Sequence, residues 1–293
     1  VYVMPGVTEI LLLVLTITLS AGRNILSKFV SKTAFGKKSF YRFQTCIFSA
    51  GSIALALFAD YTVPSPLTVG LAVTYAAFLI LAQWCYTIAL GRISVSICST
   101  IYSLGFIIPT LSGVVIWNES FTVFDSLGLC CVVAAIVLSG QKGKTVTEQS
   151  ASKVFFITLV IAMLSSGGLG LIQKTQQALP HSEEKSMFVL IAFIIAALVS
   201  FIFSVFSKKD EETPKNKQFV FAILTGACFG ICNLLNTTLA GKLDSALFFP
   251  IQNISVILLT IVFSYIITKE RFTKKSAVTF LLGVAAMVLL NCY

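Results

Sequence analysis

The sequence predicts an all-α polytopic membrane protein with ten transmembrane helices, arranged as two inverted five-helix repeats. Three observations lead to this prediction: the composition, a series of long apolar runs, and an internal repeat. Of the 293 residues, 57% are hydrophobic and 11% are charged, and the mean hydropathy is +0.93. A soluble domain carries about 25% charged residues, so this chain has too few charges to cover a water-facing surface. The composition therefore argues against a soluble enzyme.

Apolar runs long enough to cross a bilayer follow one another along the first half of the chain. An α-helix needs about 20 apolar residues to cross a hydrocarbon layer of about 30 Å. We predict the first five spans over Val7–Val30, Ser39–Ala59, Leu67–Leu90, Ser94–Ile116 and Phe124–Gln141. Turn-forming residues separate these runs, among them Pro64, Gly91 and Asn118. The first run has no basic segment before it, so we interpret it as a span and not as a removable signal.

The second half repeats this organisation. We predict its five spans over Val154–Ala178, Lys185–Phe206, Gln218–Gly241, Ser245–Ile267 and Ser276–Cys292. Pro180, Pro214 and Gly241 lie in or beside the connections between them. The connection around 207–217 is the longest, and it carries charges of both signs, as a solvated loop does. None of the connections is long enough to form a separate domain.

Lysine and arginine concentrate in the connections that follow spans 1, 3, 5, 7 and 9. The positive-inside rule therefore places these loops in the cytoplasm and both termini outside it, in a multi-pass protein of the plasma or inner membrane. The net charge of +9 suits loops beside anionic lipid, so we expect the lipid bilayer as partner, no nucleic acid, and a monomer. The eight cysteines are spread through apolar runs and the only histidine is His181, so we predict no metal and no cofactor.

An internal repeat relates the two halves. Ala89-Leu90-Gly91-Arg92 recurs 150 residues later as Leu239-Ala240-Gly241-Lys242, with each motif closing an apolar run. Each half contains five spans, an odd number, so the second half enters the membrane upside down relative to the first. We therefore divide the chain into a first repeat, residues 1–146, and a second, inverted repeat, residues 147–293. Inverted repeats of this kind are typical of secondary transporters, which bind substrate at the midplane between the repeats.

Short motifs in both halves resemble those of the drug/metabolite transporter superfamily, of the EamA kind. They are Ser27-Lys28-Phe29, Ala89-Leu90-Gly91, and the two glutamates Glu119 and Glu270. The resemblance implies a ten-helix carrier that exports or imports small molecules, and it names no substrate. The small multidrug members carry an essential membrane glutamate where this chain has Ser20, so their proton-exchange mechanism is not implied.

Polar side chains inside the spans are the candidate site residues, because a polar group in hydrocarbon is costly unless it faces a cavity or a partner. They recur 150 residues apart in spans 3 and 8 and in spans 4 and 9. We predict a substrate site formed by Gln83, Trp84, Tyr86, Ser99, Tyr102, Ser103, Asn233, Asn236, Gln252 and Asn253. The alternative is that these residues form hydrogen bonds that only hold the helices together. Trp84 is equally interpreted as an interfacial anchor.

Charged residues within or beside the spans have two interpretations each. Arg23 is a candidate counter-charge for a substrate carboxylate or phosphate, unless its side chain extends to the membrane interface. Glu9, in the first turn of span 1, is a candidate coupling acid or simply suits the positive helix end. Glu119 and Glu270 are expected to cap helix ends or to pair with basic loop ends.

The predicted function is secondary transport by alternating access across the cytoplasmic membrane. The expected substrate is a small polar or amphipathic metabolite, such as an amino acid, an amine or a related solute. Gly22 and the run Ser165–Gly168 lie deep in spans 1 and 6, where small residues allow close helix packing or local bending. A multidrug or toxic-compound exporter is the alternative. An intramembrane enzyme or a channel is more remote, because the spans contain no catalytic cluster and no rings of like charge.

Overall fold

The computed structural model describes residues 6–31, 36–91, 95–119, 122–140, 153–208, 210 and 216–268, together with residues 278, 281, 282, 284, 285 and 289. Every regular element within these residues is helical. The α-helices are α1 (Val7–Ser31), α2 (Lys37–Ala56), α3 (Pro66–Leu90), α4 (Val95–Ser103), α5 (Ile107–Trp117), α6 (Val123–Gly140), α7 (Lys153–Ala178), α8 (Lys185–Phe206), α9 (Asn216–Ala240) and α10 (Ser245–Phe263). A 3-10 turn over Leu104–Phe106 joins α4 to α5, and a π-helical turn over Ser264–Thr268 extends α10.

The first nine predicted spans are confirmed as helices, with α4 and α5 together forming the fourth. A second 3-10 turn, Ser182–Glu184, leads into the seventh span, α8. Most of the tenth predicted span, Ser276–Cys292, lies outside the described residues. The few described residues within this span are helical. Glu270 also lies outside the described residues.

Local chemistry explains where individual helices begin and end. The Oγ of Ser65 accepts a hydrogen bond from the backbone N–H of Thr68 at 3.3 Å, which caps α3. Pro66 then occupies the first helical position, where its missing N–H costs nothing. At the end of α5, Asn118 adopts a left-handed conformation with φ of 51°, which a short polar side chain tolerates. The turn signals read from the sequence therefore coincide with these helix ends.

The outer surface of the bundle is apolar. Seven described helical segments are long and apolar enough to cross a membrane. On α8, Leu198, Phe201 and Val205 share one helix face and are each more than half exposed. An extended apolar surface of this kind is unfavourable in water and favourable against lipid. The chain is therefore a multi-pass membrane protein.

The helices of the two halves interlock. Helix α1 packs against α9 and α10, and α2 packs against α8 and α9. In the second half, α7 packs against α3 and the α4–α5 span, and α8 packs against α2 and α3. When each helix is exchanged for its counterpart in the other half, this set of contacts is reproduced. The largest core cluster lies where the halves meet and contains Phe48, Phe193 and Phe229.

Glycines bring the backbones of α2 and α9 into direct contact. Gly226 and Gly230 form a G-x-x-x-G motif on α9, a pattern that lets membrane helices approach closely. A Cβ on Gly226 would lie 2.1 Å from the carbonyl oxygen of Ile47, and one on Gly230 would lie 2.7 Å from that of Gly51. We call this contact the α2–α9 seam.

Close packing at the two predicted small-residue positions is confirmed in span 6 only. A Cβ on Gly167 would lie 2.6 Å from the carbonyl oxygen of Gly105, which belongs to the first half. By contrast, nothing lies within 4 Å of the corresponding position at Gly22. Gly22 therefore does not serve close packing between the described residues.

Acidic side chains of one half cap helices of the other half. Oε2 of Glu119 accepts hydrogen bonds from the backbone N–H groups of Ser245, at 2.7 Å, and Ala246, at 3.3 Å, at the start of α10. Oε1 of Glu119 pairs with Nζ of Lys174 on α7 at 2.7 Å. The expectation that Glu119 caps a helix end is therefore confirmed, whereas its cationic partner lies within α7 and not at a loop end.

The start of α2 is capped in the same manner from the second half. Asp210 accepts hydrogen bonds from the backbone N–H groups of Lys38, at 3.2 Å, and Ser39, at 2.5 Å. Burial opposes ionisation of this carboxyl, but the bonds from Ser39 and Lys38 outweigh it and hold the pKa of Asp210 below its ordinary value. The N-cap residue itself, Gly36, supplies no side-chain bond, so the opposite half satisfies this helix end.

Replacing Gly226 by alanine should destabilise the bundle, because the new methyl group would collide with the Ile47 carbonyl oxygen. We expect a loss of about 1–3 kcal/mol, the usual cost of overpacking. This loss of stability is measured as a lower thermal unfolding midpoint of the purified protein in detergent. Gly22→Ala is the matched control, since its methyl group enters open space. Equal midpoints for the two variants would contradict a tight α2–α9 seam.

Replacing Glu119 by alanine should lower the same midpoint, because α10 loses its cap and Lys174 loses its carboxylate. A lost helix cap costs about 1 kcal/mol, and the unpaired ammonium adds to this. Glu183→Ala is the control, since the side chain of Glu183 is 74% exposed. If the Glu183 variant lost as much stability as the Glu119 variant, the capping role would be refuted.

Candidate functional site

A cavity of about 100 Å³ lies between α1, the α4–α5 span, α7, α9 and α10. Helices of both halves therefore form its wall, and each contributes residues from its central turns. Seven predicted site residues line it: Arg23, Tyr102, Ser103, Asn233, Asn236, Gln252 and Asn253. The structure adds the polar residues Ser20, Asn24, Ser166 and Gln173, and an apolar wall that includes Phe106, Leu169, Phe229, Phe249 and Val256.

The guanidinium of Arg23 is held inside the bundle. Its Nη2 donates a hydrogen bond to Oε1 of Gln83 at 2.6 Å, and its Cζ lies 3.9 Å from the ring centroid of Phe229. The rings of Tyr86 and Tyr102 lie 5.6 Å and 5.9 Å from the same atom. Arg23 is only 7% exposed. The alternative prediction, that the Arg23 side chain extends to the membrane interface, is therefore wrong.

An amide pair on α9 and α10 keeps unused hydrogen-bonding capacity. Oδ1 of Asn236 accepts bonds from Nε2 of Gln252 at 2.6 Å and from Oγ1 of Thr16 at 2.9 Å. No described residue bonds Nδ2 of Asn236 or Oε1 of Gln252. Because both residues line the cavity, this wall offers one donor group and one acceptor atom to a molecule inside it.

Both polar side-chain atoms of Asn233, in contrast, already have a partner. Its Oδ1 accepts a short hydrogen bond from Oη of Tyr75, and its Nδ2 donates to the carbonyl oxygen of Phe229 at 2.7 Å. Nε2 of Gln173 in turn donates to Oη of Tyr75 at 2.7 Å. This buried network joins α3, α7 and α9, as the alternative interpretation of polar residues as interhelical bonds predicts.

Three predicted residues lie behind the cavity wall and support Arg23 or its neighbours. Gln83 bonds to Arg23 as described, and Oη of Tyr86 lies 3.0 Å from Oγ of Ser99. These side chains face the guanidinium and each other, so they do not contact a molecule in the cavity directly. Their polarity is explained by these hydrogen bonds, which position Arg23 and its neighbours.

Trp84 and Glu9 are predicted site residues that the structure places elsewhere. The Trp84 ring packs among Phe40, Tyr41 and Phe203, with centroid distances of 6.2, 5.0 and 5.4 Å. It faces a different side of α3 because it lies one position, and hence about 100°, from Gln83 on the helix. Glu9 pairs with Nζ of Lys242 at 2.7 Å, at the helix end and away from the cavity.

The residues that sequence reasoning missed lie mainly in spans 1 and 6. Ser20 and Ser166 both line the cavity and lie 146 residues apart, as do Lys28 and Lys174. Equivalent polar residues lie 150 positions apart in spans 3, 4, 8 and 9 but 146 apart in spans 1 and 6. The shorter offset is the sequence signal that identifies Ser20 and Ser166 as a pair.

Metal chemistry finds no support in the described part of the chain. Among those residues, no three His, Cys, Asp or Glu side chains come close enough to hold a metal ion. The cavity instead combines one guanidinium, several amides and hydroxyls, and aromatic rings. Such a set binds a small molecule by hydrogen bonds, charge and stacking.

Comparison with known proteins agrees with this architecture. Residues 153–292 match the EamA-like transporter family. No curated protein sequence matches the chain. One crystal structure of another protein is similar over 98% of this chain and 97% of its own, with a TM-score of 0.72 and 15% sequence identity, which shows a shared fold. Residues 153–292, a little under half of the chain, are therefore similar to the EamA-like transporter family.

Proposed function

We propose that the protein is a secondary transporter that moves a small polar or amphipathic metabolite across the cytoplasmic membrane by alternating access. An amino acid, an amine or a related solute is the expected substrate class. The observation that carries the proposal is the position of the cavity, which lies at the central turns of helices from both halves. A carrier needs its substrate at this depth, where either side can be reached by rearranging the helices around it.

The chemistry of the cavity supports a metabolite over a bulky lipophilic drug. Arg23, Asn236 and Gln252 direct polar groups at the cavity, opposite an apolar wall with Phe106 and Phe249. A polar solute replaces its lost hydration by bonds to these groups, whereas a lipophilic one leaves them buried without partners. A multidrug exporter is therefore the weaker candidate.

Two inverted repeats, residues 1–146 and 147–293, are part of the proposal. The interlocked helix contacts support it, because exchanging the halves reproduces them. A tenth span after α10 would complete the second repeat. In the proposed orientation the basic loops face the cytoplasm, both termini lie outside it, and the monomer is the transporting unit.

Replacing Gln252 by alanine should impair transport without disturbing assembly, because it removes hydrogen-bonding groups from the cavity wall. A lost neutral hydrogen bond is worth about 1 kcal/mol, so we expect kcat/KM to fall about fivefold. Saturable uptake into liposomes measures it, with Thr238→Ala as control, since Oγ1 of Thr238 bonds only within its own helix. Unchanged uptake by the Gln252 variant would show that Gln252 only joins helices.

The orientation is tested by placing single cysteines in two loops. Val63, in the α2–α3 loop, is 94% exposed, and Lys208 follows α8 on the side proposed to be cytoplasmic. In intact cells a membrane-impermeant maleimide should label Val63→Cys and spare Lys208→Cys, relative to the protein without the added cysteine. The reverse pattern would show that the proposed orientation is inverted.

A further inference from the structure

We propose that the substrate carries an oxyanion, a carboxylate or a phosphate, and that Arg23 binds it. This inference rests on the proposed transport function and specifies the substrate class of the same cavity. Arg23 is 7% exposed and lines the cavity. The positive charge of Arg23 lies among the central turns of α1, where burying a cation without an anion costs free energy.

No carboxylate compensates this charge within the described part of the chain. The acids that form ion pairs there are Glu9, Glu119, Glu183 and Glu184, and their partners are Lys242, Lys174 and His181. None of these pairs includes Arg23. The two ion pairs with lysine lie near helix ends, so the membrane interior of this region holds one guanidinium and no counter-ion.

The hydrogen-bonding capacity of the guanidinium is also largely unused. It carries five N–H donors, and among the described residues only Gln83 accepts one of them. Its Nε is fully buried and has no partner. Buried donors are rarely left in this state, because each costs the free energy of its lost hydration. An acceptor that enters the cavity lined by Arg23 bonds donors that Gln83 leaves free.

The aromatic rings around Arg23 define which edge of the guanidinium a ligand can reach. The Phe229 ring covers one face at 3.9 Å from Cζ, and Gln83 occupies one N–H in the plane. The planar edge that remains matches the two oxygens of a carboxylate or phosphate, which arginine binds through parallel hydrogen bonds. The rings stabilise the guanidinium enough for folding when no ligand is bound, but they accept none of its N–H hydrogen bonds.

The other groups of the cavity indicate the rest of the ligand. Nδ2 of Asn236 and Oε1 of Gln252 are available for a hydroxyl, amine or amide group. The rings of Phe106 and Phe249 line the cavity and are available to pack against the apolar part of the ligand. The ligand is therefore a small organic acid or phosphate ester with a second polar end.

The test compares acids with their neutral counterparts. The probes are lactate against lactamide, 3-phenylpropanoate against 3-phenylpropanamide, and glycerol 3-phosphate against glycerol. Each is added at about 10 mM, above the usual range of KM values, to the purified full-length protein, and the shift of its thermal midpoint is measured, since a ligand of the folded state raises it. The first two pairs report a carboxylate and the third reports a phosphate.

The wild-type protein should be stabilised by at least one acid more than by its neutral partner. Arg23→Gln should weaken binding of that acid about 10- to 100-fold, the equivalent of one charged hydrogen-bonding group, and leave the neutral partner unaffected. Arg23→Lys, which keeps the charge without the planar edge, should retain part of the preference. Arg42→Gln is the matched control, because the Arg42 guanidinium also lies over a phenylalanine ring, that of Phe219 at 5.7 Å, outside the cavity.

A second measurement needs no ligand. If Arg23 is kept for a ligand, Arg23→Gln should leave the midpoint of the ligand-free protein unchanged or raise it, because a costly buried charge is removed. A lowered midpoint, or no preference of the wild type for any acid, would overturn the inference. Saturable uptake of neutral solutes into liposomes would then leave the transport proposal standing, whereas linear, unsaturable flux would overturn that proposal itself.

Discussion

Hydrocarbon neither donates nor accepts hydrogen bonds, so polar groups in the interior of this bundle depend on partners inside the protein. Helix ends that pack against the opposite half find partners there as well. The first N–H groups of α10 are satisfied by Glu119 and those of α2 by Asp210, in each instance from the opposite half. The same requirement gathers polar side chains at the centre, where helices of both halves meet. Capping and cavity formation are therefore two results of one constraint.

The constraint also separates structural polar residues from those free to bind. Asn233 and Asn236 are one helical turn apart on α9 and both line the cavity. Both polar atoms of the Asn233 side chain have partners, in Tyr75 and in the backbone of its own helix, whereas Nδ2 of Asn236 has none among the described residues. Both are asparagines of one helix that line the same cavity, so the presence of a side-chain atom without a partner is the property that distinguishes them.

The sequence was sufficient to predict the first nine spans as helices, because long apolar runs are bounded by residues with clear turn or capping chemistry, such as Ser65 or Asn118. It also identified much of the cavity wall through polar residues that recur at equivalent positions. It was insufficient for Trp84, because one helix position decides whether a side chain meets the cavity or a neighbouring helix. It missed Gln173, whose polarity is explained by Tyr75 and Asn233 on other helices. Contacts between distant segments are the information that a periodic pattern does not contain.

The α2–α9 seam bears on how such a bundle can rearrange. Where two backbones touch at Gly226 and Ile47, no side chain is present to change rotamer and absorb sliding. Helices joined in this way travel together, although α2 comes from the first half of the chain and α9 from the second. A rearrangement that keeps this seam intact therefore has to move α2 and α9 together, so it does not separate the first half of the chain from the second as two independent bodies.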